Sequence, residues 1–322
     1  MADASRLLTR LSERVFVDPS DRAAFVDALQ HPQPEPPAVL WLRDRPAELP
    51  WAALPSLPWQ PPFVDRLAPG TRPGQHPLHE AGHFYCLDFS SVVASSVMGA
   101  IAPAPQVVID LCAAPGGKSL FSWAAFQPSV LLCNEVVRKR VKILIANLKR
   151  CGVTTARVMN LDPAAIAEPL AHSADLVIVD APCSGQSLLA KGQKVPGCFH
   201  PVTLSRNAKR QKRILANAAA LVRPGGYLAY MTCTYAPEEN EQVGSWFLKQ
   251  FPEFEAVEVA HLATLQSPLA DWPCYRLWPH MGLGAGSFTA LFRCEPISPA
   301  QDLVAAPFPH DFVQQYSFEI YA

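Results

Sequence analysis

Hydrophobic positions follow two different periods along this chain. In the first thirty residues, leucines such as Leu7 and Leu11 recur at helical spacing and predict helix over residues 4–30, and the apolar run 38–44 predicts a short strand. From residue 106 onward, short apolar runs alternate with amphipathic segments. The apolar runs predict seven strands, over 106–110, 130–135, 156–160, 175–180, 226–232, 254–259 and 286–294. The amphipathic segments predict helices over 116–126, 138–152, 203–222 and 237–250. Strands separated by helices indicate an α/β fold with a doubly wound, mostly parallel sheet, which binds ligands at the carboxyl ends of its strands.

The 33 prolines are unevenly distributed, and they concentrate between residues 32 and 77. A linker is one interpretation of such a segment. Trp41, Trp51 and Trp59 lie in it, however, and large aromatic side chains are costly to leave in water. The chain therefore divides into three predicted parts, a small packed accessory domain over 1–80, a domain with the predicted sheet over 81–295 and a tail over 296–322.

The composition excludes several classes of protein. Hydrophobic residues make up 49% of the 322 positions and charged residues 17%, which rules out a mainly disordered chain, a collagen and a coiled coil. The 27 lysines and arginines balance 28 acidic residues, so nucleic-acid contacts must come from local basic patches. The nine cysteines form no paired CxxC pattern, so no metal site is expected. No signal peptide and no apolar run of about 18 residues is visible, which predicts a cytoplasmic protein without a membrane span.

The first strand of the predicted sheet ends at Asp110 and continues into LCAAPGGKS. Small residues and two glycines let the backbone approach a ligand closely, and the following helix offers free N–H groups. The run is neither GxGxxG nor a P-loop, so a triphosphate site is not expected. The candidate ligand loop consists of Cys112, Ala113, Ala114, Pro115, Gly116, Gly117 and Lys118.

Two carboxylates follow the next two strands. Glu135 lies 19 residues beyond Gly116, where a carboxylate binds ribose hydroxyls in dinucleotide folds, and Asp162 follows the third strand, where it could hold an adenine amino group. Either acid alone is more often an exposed loop residue. Because both follow strands that end at one edge of the sheet, together they favour an adenosine-containing ligand.

Two of the nine cysteines stand at strand ends. Cys183 lies in DAPCSG (180–185) after the fourth strand, and Cys233 lies in MTCT after the fifth. A lone cysteine is most often a small buried apolar residue, and the other seven are interpreted in that way. Cys183 and Cys233 are expected to face one crevice because their strands should be neighbours. A disulfide between them would be disfavoured in a reducing compartment.

These motifs together resemble the Nop/Sun family of S-adenosylmethionine-dependent RNA (cytosine-5) methyltransferases. The resemblance is carried by DLCAAPGGK (110–118), the NE after the second strand, Asp162, DAPCSG (180–185) and TCTYAPEENE (232–241). Two further segments, HFYCLDFSS (83–91) and WPHMGLGAGSFTALF (278–292), are similar to the family's lead-in and closing strand. The resemblance covers about residues 81–295 and implies a Rossmann-like class I methyltransferase fold.

The resemblance also implies catalytic roles. Cys233 would be the nucleophile that adds to cytosine C6, which makes C5 reactive, and Cys183 would assist product release. Asp180 would hold the N3/N4 edge of the cytosine. Lys118 would act on the same edge or orient the cofactor, and a solvated lysine at a helix start is the alternative.

The cofactor that the resemblance implies is S-adenosylmethionine. The backbone of residues 112–118 would surround its methionine part, Glu135 would take the ribose hydroxyls and Asp162 the adenine. Asp180 would border both the cofactor and the base.

The segment after PCSG departs from the family pattern. Many relatives continue GTLR-x-x-PD, whereas this chain has QSLLAKGQKVPGCFHP (186–201), with Lys191 and Lys194 near the place of the missing arginine. Basic residues cluster on the helix 138–152, where solvation is a sufficient explanation. A second cluster, around this segment and on the helix 203–222, is the better candidate for phosphate contact.

The implied substrate is RNA, with ribosomal RNA favoured over transfer RNA, and the target base must be unpaired or flipped out. One alternative is a catalytically silent RNA-binding or assembly factor that keeps the fold, against which the two intact cysteines argue. Another is an S-adenosylmethionine enzyme that acts on DNA or on a protein side chain. The absence of GxGxxG disfavours a nicotinamide oxidoreductase. The sequence does not define an oligomeric state, and a monomer is favoured.

Overall fold

The structure is a computed structural model that describes residues 2–153, 155–295 and 308–319. Its helices are α1 Ala2–Val15, α2 Pro19–Gln30, α3 Pro77–Glu80, α4 Phe89–Ser95, α5 Gly117–Phe126, α6 Arg138–Arg150, α7 Pro163–Ala167, α8 Pro201–Leu221, α9 Glu241–Gln250 and α10 His310–Tyr316. Its strands are β1 Pro37–Trp41, β2 Val64–Arg66, β3 Phe84–Asp88, β4 Val107–Asp110, β5 Val130–Asn134, β6 Ala156–Met159, β7 Ala174–Asp180, β8 Val222–Thr232, β9 Phe254–Ala256, β10 Tyr275–Leu277, β11 Ser287–Cys294 and β12 Ser317–Glu319. Short 3₁₀ helices lie at Pro73–Gln75, Ser96–Ala100, Gln186–Lys191, Ala260–Leu265 and Pro279–Met281.

A mixed sheet forms the centre of the molecule, with strand order β10-β11-β8-β7-β4-β5-β6-β12 and β9 paired to β11. The five strands β8-β7-β4-β5-β6 are mutually parallel, and the others pair antiparallel at the two sides. This confirms the doubly wound, mostly parallel α/β fold. The described part of the sheet has nine strands where seven were expected, because the three-residue strands β10 and β12 are too short to show an apolar pattern.

The parallel strands end together at one edge of this sheet. In the register, Asp110 at the end of β4 pairs with Cys133 of β5, and Asp180 at the end of β7 pairs with Met231 of β8. Apolar side chains alternate between two cores on the opposite faces of the sheet, as expected for strands covered by helices on both sides. The turns that follow β4, β7 and β8 are therefore brought to the same place.

The N-terminal region forms a second, three-stranded sheet of order β2-β1-β3. Strand β3 lies beyond residue 80, yet it pairs with β1 from Pro37↔Asp88 to Trp41↔Phe84. Side chains of β1 and β2 also join the core that covers one face of the central sheet. The division of the chain at residue 80 stays a prediction, and the pairing shows that the segments on either side of it share a sheet.

Two predicted helices differ from the structure. The predicted helix 4–30 is interrupted, because the Asp18 carboxylate accepts a hydrogen bond from the Ser20 N–H at 2.7 Å and starts α2 at Pro19. The predicted helix 237–250 begins only at Glu241, since the preceding residues form a turn whose side chains are used for tertiary contacts. The predicted strand 254–259 is also shorter, as β9 ends at Ala256.

The predicted tail 296–322 is described only over 308–319; its other residues lie outside the described part of the chain. There, β12 pairs with β6, and the buried Val313 packs into the core of one sheet face. No helix within the described residues is both long and apolar enough to cross a membrane.

Candidate active site

The two turns after β7 and β8 carry the two cysteines that the sequence singled out. Cys183 and Cys233 are free and half-buried, and their Sγ atoms lie 3.2 Å apart. That separation is a hydrogen-bond contact between a thiol and a neighbouring sulfur. The predicted convergence of the two cysteines at the carboxyl ends of neighbouring strands is thus present in the structure.

The contact between the sulfurs distinguishes them electrostatically. A hydrogen bond from the Cys183 thiol lowers the pKa of Cys233, and the Lys118 ammonium acts in the same direction. The same contact, together with burial and the nearby Glu239 carboxylate, raises the pKa of Cys183 well above its usual value. The arrangement therefore favours a thiolate at Cys233 and a protonated thiol at Cys183. A thiolate is the nucleophilic form of cysteine.

A lysine and a carboxylate border this pair of sulfurs. Lys118 Nζ, from the first turn of α5, lies 3.2 Å from Asp180 Oδ2 at the end of β7. The lysine side chain is 12% exposed, whereas that of Asp180 is 35% exposed and open to a ligand. This contradicts the alternative of a solvated lysine at a helix start.

Glu239, from the turn before α9, ties the two cysteine-bearing turns together. Its Oε2 accepts hydrogen bonds from the Ser184 N–H at 3.0 Å and from the Gln211 side-chain amide at 2.8 Å. Gln211, on the buried face of α8, also donates to the Pro182 carbonyl at 3.1 Å. Burial raises the pKa of Glu239 even though these donors oppose the shift. Neither residue was predicted as part of the site.

Glu241 anchors the turn after Cys233 from the other side. Its carboxylate forms two hydrogen bonds with the Arg276 guanidinium, and both side chains are almost fully buried. Ser267 Oγ donates a further hydrogen bond to Glu241 at 2.6 Å. Arg276 also donates to the Tyr235 carbonyl at 3.0 Å, which fixes the backbone two residues beyond Cys233.

The loop 112–118 follows β4 and continues into α5. Gly116 has a backbone φ of +120°, a value that residues other than glycine rarely adopt. The Ala113 N–H bonds the Asn134 carbonyl at 2.9 Å, and the Asn147 amide of α6 donates to the Pro115 carbonyl at 2.8 Å. A side chain at Gly117 would lie 2.8 Å from the Leu87 side chain of β3. The loop is therefore held closely on the sheet edge, between β3 and α6.

Glu135 follows β5 and is the predicted ribose-binding carboxylate. It is 3% exposed, and its Oε1 accepts the Val137 N–H at 2.8 Å. Its Oε2 has no aligned hydrogen-bond partner among the described residues, although Arg140 lies 3.0 Å away. Arg140 also donates to the Ala114 carbonyl of the ligand loop. A buried acceptor with spare capacity beside this loop fits the hydroxyl groups of a bound nucleoside.

Asp162 occupies a more open position than the other site residues. Its Oδ1 caps α7 by accepting the Ala164 N–H at 3.0 Å, and its Oδ2 lies 3.5 Å from Arg213 of α8. Its side chain is 53% exposed. The structure thus places Asp162 on the rim of the site, and its contact with adenine stays a prediction. Within the described residues, no group of three or more His, Cys, Asp or Glu side chains is arranged to hold a metal ion.

Residues 100–293 match the profile of the family described as 16S rRNA methyltransferase RsmB/F. The chain belongs to this family. Ribosomal RNA small subunit methyltransferase F of Klebsiella pneumoniae is 34% identical over 194 residues, which are 60% of this chain and 40% of that protein. The same-named protein of Erwinia tasmaniensis is 34% identical over 252 residues, 76% of this chain and 52% of that protein. The chain spans about half the length of the curated relatives it matches.

Solved structures agree with the family assignment. A methyltransferase homolog protein from Pyrococcus horikoshii shares the fold, with a TM-score of 0.66, 23% identity, and coverage of 85% of this chain and 90% of that one. NSun6 from Pyrococcus horikoshii with SFG has a TM-score of 0.59 at 25% identity and covers 72% of this chain and 59% of that one. These findings confirm the resemblance to the Nop/Sun family and the class I methyltransferase fold. S-adenosylmethionine is accordingly the cofactor.

The residues missed by sequence reasoning share one feature, which is a polar side chain at a position that faces inward. Gln211 lies on α8 in phase with the buried Leu204, Ile214 and Leu215. A polar residue in such a stripe indicates a buried hydrogen-bond network, and this could have been recognised from the sequence. Glu239 and Glu241 gave no comparable signal, because acids are also common before and at the start of helices.

Proposed function

We propose that this chain is an S-adenosylmethionine-dependent RNA (cytosine-5) methyltransferase that acts through a covalent cysteine–C6 adduct. The observation that carries the proposal is the contact between Cys183 and Cys233, 3.2 Å apart and beside the Lys118–Asp180 pair. Family membership supports RNA methylation but not the position of the methyl group. A methyltransferase acting on nitrogen has no need of two adjoining thiols.

Cys233 is the proposed nucleophile. Cytosine C5 is a poor nucleophile, and addition of a thiolate to C6 makes C5 enamine-like. The hydrogen bond from Cys183 lowers the pKa of Cys233 and so favours this thiolate. When bound, S-adenosylmethionine supplies the methyl group that C5 acquires.

Cys183, Asp180 and Lys118 have proposed supporting roles. Asp180, the more exposed member of its ion pair, accepts hydrogen bonds from the protonated N3 and N4 edge of the base while the adduct exists. Lys118 orients that carboxylate from its half of the ion pair. After methyl transfer, the C5 proton passes to solvent water, its electron pair forms the C5=C6 double bond, and the Cys233–C6 bond breaks with its pair left on the Cys233 sulfur. Cys183 assists this release of the product. Its raised pKa keeps a proton on its sulfur, and the 3.2 Å contact directs that proton toward the Cys233 sulfur.

The cofactor is proposed to lie along the loop 112–118. The backbone from Cys112 to Lys118 would hold its methionine part, and Glu135 would accept hydrogen bonds from the ribose hydroxyls. The buried Glu135 Oε2 without an aligned donor is the structural support for this placement. Asp162, on the rim, would contact the adenine, and Asp180 would border both the cofactor and the base.

Ribosomal RNA is the proposed substrate, ahead of transfer RNA. The support is the description of the family and the names of the relatives. The matches cover only 40% and 52% of the length of two of those relatives. The target cytosine must leave any stack before a thiolate can reach C6.

The proposal is tested with cysteine variants and radiolabelled cofactor on 16S rRNA transcribed in vitro. Cys233→Ala is expected to abolish methylation, and Cys183→Ala to accumulate a covalent protein–RNA adduct that survives denaturing electrophoresis. Cys86→Ala, which removes a half-buried thiol outside the site, is the matched control and should behave as the wild type. Bisulfite sequencing of the product locates the methyl group.

Three results would contradict the proposal. An adduct with Cys233→Ala but not with Cys183→Ala would reverse the two roles. Methylation at a nitrogen or on a sugar would remove the C6 adduct from the mechanism. RNA binding without methyl transfer by the wild type would favour the catalytically silent factor.

A further inference from the structure

A groove of about 530 Å³ runs between the N-terminal helix α1 and helix α8. Its walls are the face of α1 with Leu7, Leu11 and Arg10 and the opposing face of α8 with Leu204 and Lys209. Two further lining residues directly adjoin, in sequence, residues of the two cysteine-bearing turns. These are Gln186, which directly follows the PCSG turn, and Glu238, which precedes the Glu239 that holds that turn. The groove is therefore lined in part by the segments that flank the proposed site of chemistry.

The charge in this groove is strongly positive although the chain as a whole is not. Arg10, Arg14, Lys209 and Lys212 line it, whereas Glu238 is the single carboxylate among its lining residues. Arg14 lies 2.7 Å from Glu238, which leaves three cations without that compensation. The formal net charge of the whole chain is −1. The positive charge is therefore a local feature, as expected of a surface for a polyanion.

The groove also has apolar side chains in its lining. Leu11 and Leu204 are buried in its lining, and Phe199, from the segment 186–201 after PCSG, is half-buried there. Cations along the walls of an apolar channel suit single-stranded RNA, whose phosphates pair with lysine and arginine while riboses and bases pack on apolar side chains. An acidic peptide would match the charge but would leave no role for the position of the groove beside the catalytic turns.

We propose that the α1–α8 groove binds the single-stranded RNA that flanks the target cytosine. The proposal rests on the proposed RNA methyltransferase function and assigns to the N-terminal helix a direct part in substrate binding. Arg10 and Lys209 are the exposed cations that best report it. Arg14 is paired with Glu238, and Lys212 lies over the Trp246 ring at 5.4 Å, so both have structural contacts of their own.

The test compares two double variants of the full chain. Arg10→Ala with Lys209→Ala removes two cations from the groove, and Lys142→Ala with Lys149→Ala removes two exposed cations from α6, outside the groove. Affinity for a fluorescent cytidine-containing single-stranded oligonucleotide is measured by anisotropy over a series of salt concentrations. Calorimetric titration with S-adenosylmethionine checks that both variants keep a folded cofactor site.

The groove variant is expected to bind the oligonucleotide about ten-fold more weakly, as for the loss of two exposed ion pairs. Its slope of log affinity against log salt should fall by about 0.7 for each phosphate contact removed. The α6 variant should match the wild type in both measurements. Equal losses in the two variants, or wild-type binding by the groove variant, would overturn the proposal. Failure of the wild type to bind the oligonucleotide at all would instead refute the function on which the proposal rests.

Discussion

The buried pair Arg276–Glu241 gives a quantitative prediction about what stabilises the turn after Cys233. In Arg276→Met, the Glu241 carboxylate stays buried and loses both hydrogen bonds from the guanidinium, with only Ser267 left as a donor. Removing one partner of a buried ion pair costs about 3–5 kcal/mol. Since whole domains are stable by only about 5–15 kcal/mol, this is a large share of the free energy of unfolding.

The measurement is urea unfolding followed by circular dichroism, with the midpoint and the slope m fitted separately. Arg276→Met should lower the midpoint and leave m unchanged, because the surface exposed on unfolding is the same. The double variant Arg276→Met with Glu241→Gln should recover most of the loss, since no buried charge then lacks a partner. Glu238→Gln is the matched control, because its partner Arg14 is half-exposed and such pairs contribute at most about 1 kcal/mol.

A cost for Arg276→Met no larger than that of Glu238→Gln would refute the reasoning. So would a double variant that is less stable than Arg276→Met. Either result would mean that the Glu241 carboxylate does not depend on the guanidinium for its burial.

Three further predictions concern single side chains. Glu135→Ala should weaken S-adenosylmethionine binding about ten- to hundred-fold in calorimetric titration, because hydrogen bonds to a charged acceptor are lost. The control Glu255→Ala, at an exposed position, should leave the affinity unchanged. Equal affinities for the two variants would remove Glu135 from the site. Because the pKa of Cys233 is lowered and that of Cys183 raised, peptide mapping should show iodoacetamide alkylating Cys233 at lower pH than Cys183, and the reverse order would contradict the thiolate assignment. Burial raises the pKa of Asp110 from 3.8 to about 7, so between those values the folded state keeps a proton that the unfolded state has lost. The stability of the wild type relative to Asp110→Asn should therefore fall as pH rises from about 4 to about 7 and level off above it; a pH-independent difference in urea midpoints would contradict this.

The strand ends were predictable from the sequence because each buried strand is a short apolar run followed by a polar residue. Asp110 and Asp180 end such runs, and parallel pairing then brings their turns to one edge of the sheet. The convergence of Cys183 and Cys233 follows from the same rule. Local pattern and sheet topology together therefore specify the positions of the catalytic candidates.

Contacts between segments distant in sequence were not predictable in this way. The pairing of β3 with β1 joins segments more than forty residues apart, and nothing in either run specifies its partner. The same holds for the hydrogen bond from Gln211 to Glu239, which becomes visible only when α8 lies against the turn before α9. Asp162 shows a different limit. A carboxylate after a strand suits both a ligand site and a helix cap, and local sequence does not distinguish the two uses.

The aromatic contacts of Tyr235 have a consequence for how this protein can be shortened. Its ring packs against Phe25 of α2, with centroids 5.0 Å apart, and against Trp278, which in turn contacts Phe16 at 4.5 Å. Deleting the first thirty residues would remove Phe16 and Phe25 and so expose to water the rings of Tyr235 and Trp278, close to the turn that carries Cys233. A shortened protein made from residues 81–295 alone should therefore also carry polar replacements of Tyr235 and Trp278, which would otherwise be exposed to solvent.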